Sequence, residues 1–234
     1  MMTGKHTEVI EQVVNKLKEQ ENVIGIVLFG SLANETSHAY NDIDLFVVGN
    51  NELHRTESFN QDGIQVQIIW RSPSLFKDKI MIRMRTYPIS NSCKILYDKS
   101  GEISEVVELS KKQIELGPIR LTEQETISKL ADLSIEYYTI KGIIENGNIA
   151  AAIHMINELV IVGIELYYDT KGHFLLSLKH LISDLKLKSN NLGMLAESIL
   201  METEVNKKMD MFYRFRKEIL DIFGGEISNY ELKW

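Results

Sequence analysis

Two apolar runs joined by a short polar segment constrain this chain more than any other feature. The first run, residues 23–29, ends at Gly30 and Ser31, and ten residues later Asp42 and Asp44 open the second run. Apolar runs of this length, bounded by Gly, Ser and Asp, are typical of buried strands. Because alternate residues of a strand point to the same face, the two carboxylates are expected to project together.

The residue types around these runs indicate a particular chemistry. Two carboxylates held side by side repel each other, and a divalent cation is the usual compensation. Glycine lets a backbone approach a phosphate closely, and the first N–H groups of a following helix bind anions. The pattern therefore predicts a site for metal and phosphate, which together indicate nucleotide chemistry. The structural alternative is two strands joined by a surface loop, with Asp42 as a cap.

The whole pattern resembles the signature of the DNA polymerase beta nucleotidyltransferase superfamily. That signature is a hydrophobic residue, Gly, and Gly or Ser, followed after a gap by Asp, a hydrophobic residue, Asp or Glu, and a hydrophobic residue; here it is FGS and then DIDL. The resemblance implies that Gly30 and Ser31 bind the β- and γ-phosphates of a nucleoside triphosphate. It also implies that Asp42 and Asp44 bind Mg²⁺ in the transfer of a nucleoside monophosphate, most simply AMP from ATP, to a hydroxyl group.

One position departs from the superfamily pattern. Members usually carry a third carboxylate on the strand predicted here over residues 64–70, and the matching residue is Gln67, with Gln65 on the same face. An amide oxygen can ligate Mg²⁺, but it brings no charge and accepts no proton at neutral pH. Three alternatives follow: the enzyme works with one tightly held metal, the helical part supplies a replacement carboxylate, or the site binds nucleotide with little or no turnover.

Hydrophobic periodicity and turn residues divide the chain at Gly117 and Pro118. Predicted strands cover residues 23–29, 42–48, 64–70 and 93–97, and predicted helices cover 6–20, 72–85, 102–116, 122–145, 148–168, 176–186, 190–201 and 203–223. We therefore predict an α+β fold, with a mixed-sheet nucleotidyltransferase domain over residues 1–117 and an all-α helical bundle over 118–234. Kanamycin and lincosamide nucleotidyltransferases, which belong to the superfamily, share this order.

The resemblance also implies that a carboxylate of the helical domain acts as general base on the acceptor hydroxyl. Glu136 is the preferred candidate over Glu145 and Glu158, because Tyr137 and Tyr138 follow it and aromatic rings can line a pocket for a small cation. The alternative is that both tyrosines pack in the helical core and Glu136 is solvated. The predicted catalytic residues are thus Asp42, Asp44 and Glu136.

Composition limits the partners. The formal net charge is −7, and neither half of the chain is basic, which argues against a large nucleic-acid substrate. A small cationic acceptor, such as an aminoglycoside-like or lincosamide-like antibiotic, suits an acidic protein better. Cys93 is the only cysteine, so no disulfide framework is expected. The apolar stretches are interrupted before membrane-spanning length, so a cytoplasmic enzyme is expected.

The sequence is also compatible with two other functions. Gln67 favours a nucleotide-binding regulatory module with an impaired active site. A protein adenylyltransferase of a toxin–antitoxin pair is a further alternative enzyme. The apolar residues of the last predicted helix favour either core packing or the seam of a homodimer; they are Met209, Met211, Phe212, Phe215 and Ile219.

Overall fold

A computed structural model describes residues 4–33, 42–50, 54–81, 85–86, 92–227 and 231. The chain divides into two compact units: Met1–Met84 with Pro88–Gly117, and Arg85–Tyr87 with Pro118–Trp234. The first unit contains a mixed sheet and the second consists of helices, which confirms the predicted α+β class.

The first unit is built on a five-stranded sheet. Its elements, in chain order, are α1 (Gly4–Lys18), β1 (Val23–Phe29), α2 (Gly30–Ala33), β2 (Ile43–Gly49), β3 (Arg55–Gln61), β4 (Ile64–Arg71), α3 (Pro73–Met81), β5 (Lys94–Asp98) and α4 (Glu102–Ile114). The strand order is β3-β4-β2-β1-β5. Strands β2 and β4 run parallel, and the other neighbours are antiparallel, so the sheet is mixed as predicted.

Burial explains why strands β1 and β2 could be predicted from the sequence. Strands β1 and β2 are buried along almost their whole length, so both of their faces are apolar. The apolar stripe of α1 packs on one face of the sheet, where Val9 and Val13 are almost completely buried. Phe76 of α3 and Ile103 of α4 belong to the core on the other face.

Strand β3 was missed by the sequence analysis. It lies at the edge of the sheet, and its residues alternate between exposed and half-buried, so only Phe59 on its inner side is a large apolar residue. A polar edge strand has no apolar run and too weak an alternation to be distinguished from a loop. A tight turn follows it, in which Asp62 and Gly63 both have positive φ and Gly63 N–H donates to Asn60 Oδ1.

The second unit is a helical bundle. Its helices are α5 (Glu123–Glu145), α6 (Ile149–Lys171), α7 (Leu178–Lys188), α8 (Asn190–Met201) and α9 (Val205–Ile222). A capping box starts α5, because the Thr122 hydroxyl accepts from Glu125 N–H and the Glu125 carboxylate accepts from Thr122 N–H. The segment Arg85–Tyr87 belongs to this unit: Arg85 forms an ion pair with Glu125 at 2.5 Å, and Thr86 pairs with Leu175.

Helix α6 lies at the centre of the bundle. Within the described ranges it is the one helix long and apolar enough to cross a membrane, a feature that the sequence analysis did not identify. By length and composition, a core helix of a bundle meets the same criteria. Its residues Ile156, Val160 and Ile164 are completely buried in the same core as residues of α9.

The apolar stripe of α9 forms core. Four of its members are buried and the fifth packs against them, which favours core packing over a dimer seam; they are Met209, Phe212, Phe215 and Ile219, with Met211 partly buried. Two charged residues share this stripe, Lys208 and Arg216. Lys208 Nζ donates to the carbonyls of Ile199 at 2.5 Å and Glu202 at 3.2 Å. It therefore supplies hydrogen bonds to carbonyl groups at the C-terminal end of α8. Burial lowers the pKa of this ammonium group.

Candidate nucleotide site

The turn after β1 and a carboxylate of β2 lie against each other. Gly30 has φ +74°, in the left-handed region that glycine adopts without strain. A Cβ atom placed on Gly30 would lie 2.3 Å from Oδ2 of Asp44, so the carboxylate occupies the space that a side chain would need. The two halves of the sequence pattern therefore meet in the fold, although ten residues separate Ser31 from Asp42.

Strand register causes this contact. Phe29, the last residue of β1, is the antiparallel partner of Asp44 near the start of β2. Gly30 follows Phe29 directly and turns the chain into the single-turn helix α2. Asp44 is half-buried, whereas Asp42 precedes β2 and is exposed. The joint role of these two carboxylates in metal binding stays a prediction.

A row of side chains crosses the sheet at Asp44. Its parallel partner on β4 is Gln67, and the antiparallel partner of Gln67 on β3 is Ser58. Gln67 is half-buried, and its amide forms no hydrogen bond with any residue in the described ranges. Gln65 on the same strand donates from Nε2 to the Ser58 hydroxyl at 2.7 Å. The neutral Gln67, for which the resemblance implied a carboxylate, thus lies directly beside Asp44.

The donor set fits Mg²⁺ bound together with a nucleotide. Magnesium is commonly held by one or two carboxylates plus substrate phosphates, and Asp42, Asp44 and Gln67 supply only oxygen ligands. No group of three His, Cys, Asp or Glu side chains suited to a metal occurs in the part of the chain that the structure describes. Residues 34–41, which include Glu35 and His38, lie outside that part.

Phosphate binding at the turn after β1 would depend on its backbone. Helix α2 has four residues, too few for a substantial helix dipole, so the phosphate ligands would be individual N–H groups at Gly30 and Ser31. The Ser31 side chain is half-buried and forms no hydrogen bond with another described residue. Its hydroxyl is an additional donor of the type that binds phosphate oxygens.

Replacing Gly30 by Ala tests the contact between the turn and Asp44. The new Cβ would overlap Asp44 Oδ2, and a non-glycine residue at this φ costs about 1–2 kcal/mol. We expect Gly30→Ala to lower the melting temperature slightly and to weaken Mg²⁺-dependent ATP binding by about tenfold or more. Titration calorimetry measures the binding. Gly101→Ala is the matched control, because Gly101 also has positive φ but no atom near its Cβ position. Equal ATP affinity of the two variants would contradict the contact's role.

Glu136 lies on α5 in the helical unit, where it is half-buried. Tyr137 is buried and Tyr138 is exposed, so only one of the two tyrosines packs in the core. The Arg216 guanidinium lies 4.2 Å from the Tyr137 ring centroid and 5.9 Å from that of Tyr138. The rings that suggested a pocket for an external cation thus contact the protein's own arginine, which the sequence analysis missed. The role of Glu136 as general base stays a prediction.

One comparison with known proteins bears on the class of the first unit. Residues 11–82 match the family model described as polymerase beta, nucleotidyltransferase, and this range includes both halves of the pattern and Gln67. The match supports a nucleotidyltransferase domain of the polymerase beta superfamily in the first unit.

Among known structures, 11 chains match. One is a nucleotidyltransferase-like protein from Exiguobacterium sibiricum 255-15, with 11% sequence identity, a TM-score of 0.49, and coverage of 92% of this chain and 74% of that chain. No curated protein sequence matches.

Proposed function

We propose that this protein transfers AMP from ATP to a hydroxyl group of a small molecule in a Mg²⁺-dependent reaction. The observation that carries the proposal is the contact of Asp44 with the Gly30 backbone, inside the range that matches the nucleotidyltransferase family. A tight turn able to approach phosphates and a half-buried carboxylate able to bind a cation are thereby adjacent. Nucleotidyl transfer requires these two functions side by side.

Each residue has a proposed part. The N–H groups of Gly30 and Ser31 bind the β- and γ-phosphates, and Asp42 and Asp44 hold Mg²⁺. The cation supplies charge neutralisation on the phosphate oxygens. The acceptor oxygen forms a bond to the α-phosphorus, the bond from that phosphorus to the bridging oxygen breaks, and pyrophosphate leaves. The acceptor's proton goes to a carboxylate, for which Glu136 is the proposed base.

Gln67 limits which group can take that proton. Its amide cannot accept a proton at neutral pH, so beside Asp44 it serves as a neutral ligand or a hydrogen-bonding group. We therefore propose that the base is a carboxylate from another part of the chain, which is why Glu136 belongs to the proposal. The net charge of −7 supports a cationic acceptor, such as an aminoglycoside-like or lincosamide-like antibiotic, and a nucleotide substrate suits a cytoplasmic location.

The same glutamine favours a second candidate function. A site with two carboxylates and no third acid can bind MgATP without efficient transfer. In that case the protein is a nucleotide-binding regulatory module. Protein adenylylation in a toxin–antitoxin pair is a variant of the first function with a macromolecular acceptor.

One experiment separates these functions. ATP binding is measured by calorimetry with and without Mg²⁺, and transfer is measured as radiolabel from α-³²P-ATP on a panel of aminoglycosides, lincosamides and co-purified proteins. Label on a small molecule supports the first function, and label on a protein supports the adenylyltransferase variant. Binding without label on any acceptor supports the module. Absence of Mg²⁺-dependent ATP binding would contradict all three.

A further inference from the structure

The sheet of the first unit is covered unequally on its two faces. Five strands at a spacing of about 4.8 Å span about 19 Å between the outer strands, whereas a helix with its side chains is about 10 Å wide. Helices α3 and α4 lie on the face that carries Phe46. On the other face α1 packs mainly against β1 and β5. The strip over β3 and β4 on this face therefore has no helix directly above it in the part of the chain that the structure describes.

A cavity of about 330 Å³ occupies this strip. Its floor is formed by Phe59 of β3 with Ile68 and Trp70 of β4, and its wall by one side of α1. A hydrogen bond of 2.5 Å from Gln61 Nε2 to Gln12 Oε1 joins β3 to α1 beside it. The volume lies at the small end of the range for ligand sites, and an apolar floor with a few polar groups is their usual composition.

The polar groups of this cavity are predominantly cationic. Arg55 lies with its guanidinium carbon 4.9 Å from the Trp70 ring centroid and forms an ion pair of 2.6 Å with Glu57. Lys16 on the α1 wall has no ion-pair partner among the residues that the structure describes. Two cations and one anion leave the lining with a net positive charge, in a chain whose net charge is −7.

An unsatisfied donor accompanies these charges. The Trp70 side chain is almost completely buried, and its indole Nε1 has no hydrogen-bond partner within the described residues. A buried donor without an acceptor costs about 1–3 kcal/mol and calls for an explanation. Glu57 supplies a carboxylate oxygen to the lining, but that oxygen lies 2.6 Å from the Arg55 guanidinium, so the acceptor for Trp70 would come from a bound molecule.

We propose that this cavity binds a small amphipathic carboxylate. Its apolar body would pack on Phe59 and Ile68, and its carboxylate would interact with Lys16 and Arg55. The cavity is separate from the candidate nucleotide site, because alternation along β4 points Ile68 and Trp70 to the face opposite Gln67. Carboxylate binding at this cavity therefore does not depend on nucleotidyl transfer.

The probe for the test is 4-phenylbutyrate, with neutral 4-phenylbutyramide as its isostere. The chain contains two tryptophans, so the indole region of a ¹H–¹⁵N spectrum holds two signals, and Trp70→Phe identifies the relevant one. We expect a saturable shift of the Trp70 Nε1–H signal with 4-phenylbutyrate. Because a charge-assisted hydrogen bond is lost, the amide should bind at least about tenfold more weakly.

Charge variants give the second arm of the test. Lys16→Met and Arg55→Met should each weaken 4-phenylbutyrate binding by about tenfold. Lys79→Met, an exposed substitution on α3, is the matched control and should bind like the wild type. The same spectra report whether each variant is folded. No shift of the Trp70 signal at millimolar 4-phenylbutyrate, or equal affinities of carboxylate, amide and charge variants, would overturn the proposal.

Discussion

Replacing Asp44 by Asn is expected to reduce Mg²⁺-dependent pyrophosphate release by about a thousandfold, or about 4 kcal/mol of transition-state stabilisation. Asparagine keeps the shape that packs against Gly30 but removes the negative charge. Because Gln67 beside it is also neutral, Asp42 would be the one acid left at the proposed metal site. Pyrophosphate release is measured with a coupled assay at saturating ATP and Mg²⁺.

Two controls distinguish the loss of the Asp44 charge from a general effect on charge or on folding. Asp78→Asn removes one exposed carboxylate on α3 of the same unit and should leave the rate unchanged. Asp44→Asn should unfold at nearly the wild-type temperature, because the side-chain volume is retained. A rate within tenfold of wild type for Asp44→Asn would show that Asp44 does not hold the catalytic cation.

The second large effect is expected in the helical unit. Arg216 is 1% exposed; its Nε donates to the Leu133 carbonyl at 3.0 Å, and its guanidinium is ion-paired with Glu226. It also lies over the rings of Tyr137 and Tyr213 at 4.2 and 5.9 Å. We expect Arg216→Met to lower the free energy of unfolding by about 3 kcal/mol, through the lost charged hydrogen bond and cation–π contacts.

Urea unfolding of the full chain, followed by far-ultraviolet circular dichroism, measures this loss. Arg214→Met is the matched control, because Arg214 is exposed on the same helix, and it should change the free energy by less than about 0.5 kcal/mol. Glu226→Gln should have a small effect, since the Glu226 side chain is 48% exposed. Equal stability of the two arginine variants would refute the structural role assigned to Arg216.

The parts of the fold that could be predicted are those where burial leaves a pattern along the chain. Strands β1 and β2 are apolar on both faces, and the Thr122 capping box marks the start of α5. Strand β3 lies at the sheet edge with a polar outer face, so its pairing with β4 depends on the hairpin at Gly63 rather than on its own composition.

The candidate site could be predicted only in part. Its residue types are present in the sequence, and the resemblance to the nucleotidyltransferase superfamily singled out Gln67, which the fold places beside Asp44. The contact between Gly30 and Asp44 depends on the register of β1 against β2, which no local pattern specifies. The burial of Arg216 could have been predicted, because Arg216 lies four residues after Phe212 and seven after Met209, on the buried stripe of α9.

The most direct measurement is the anomalous scattering of Mn²⁺ in crystals grown with α,β-methylene-ATP. We predict a manganese peak at about 2.1 Å from carboxylate oxygens of Asp42 and Asp44, with the β- and γ-phosphates bound to the N–H groups of Gly30 and Ser31. Manganese and triphosphate bound elsewhere, with both aspartates uncoordinated, would contradict the account.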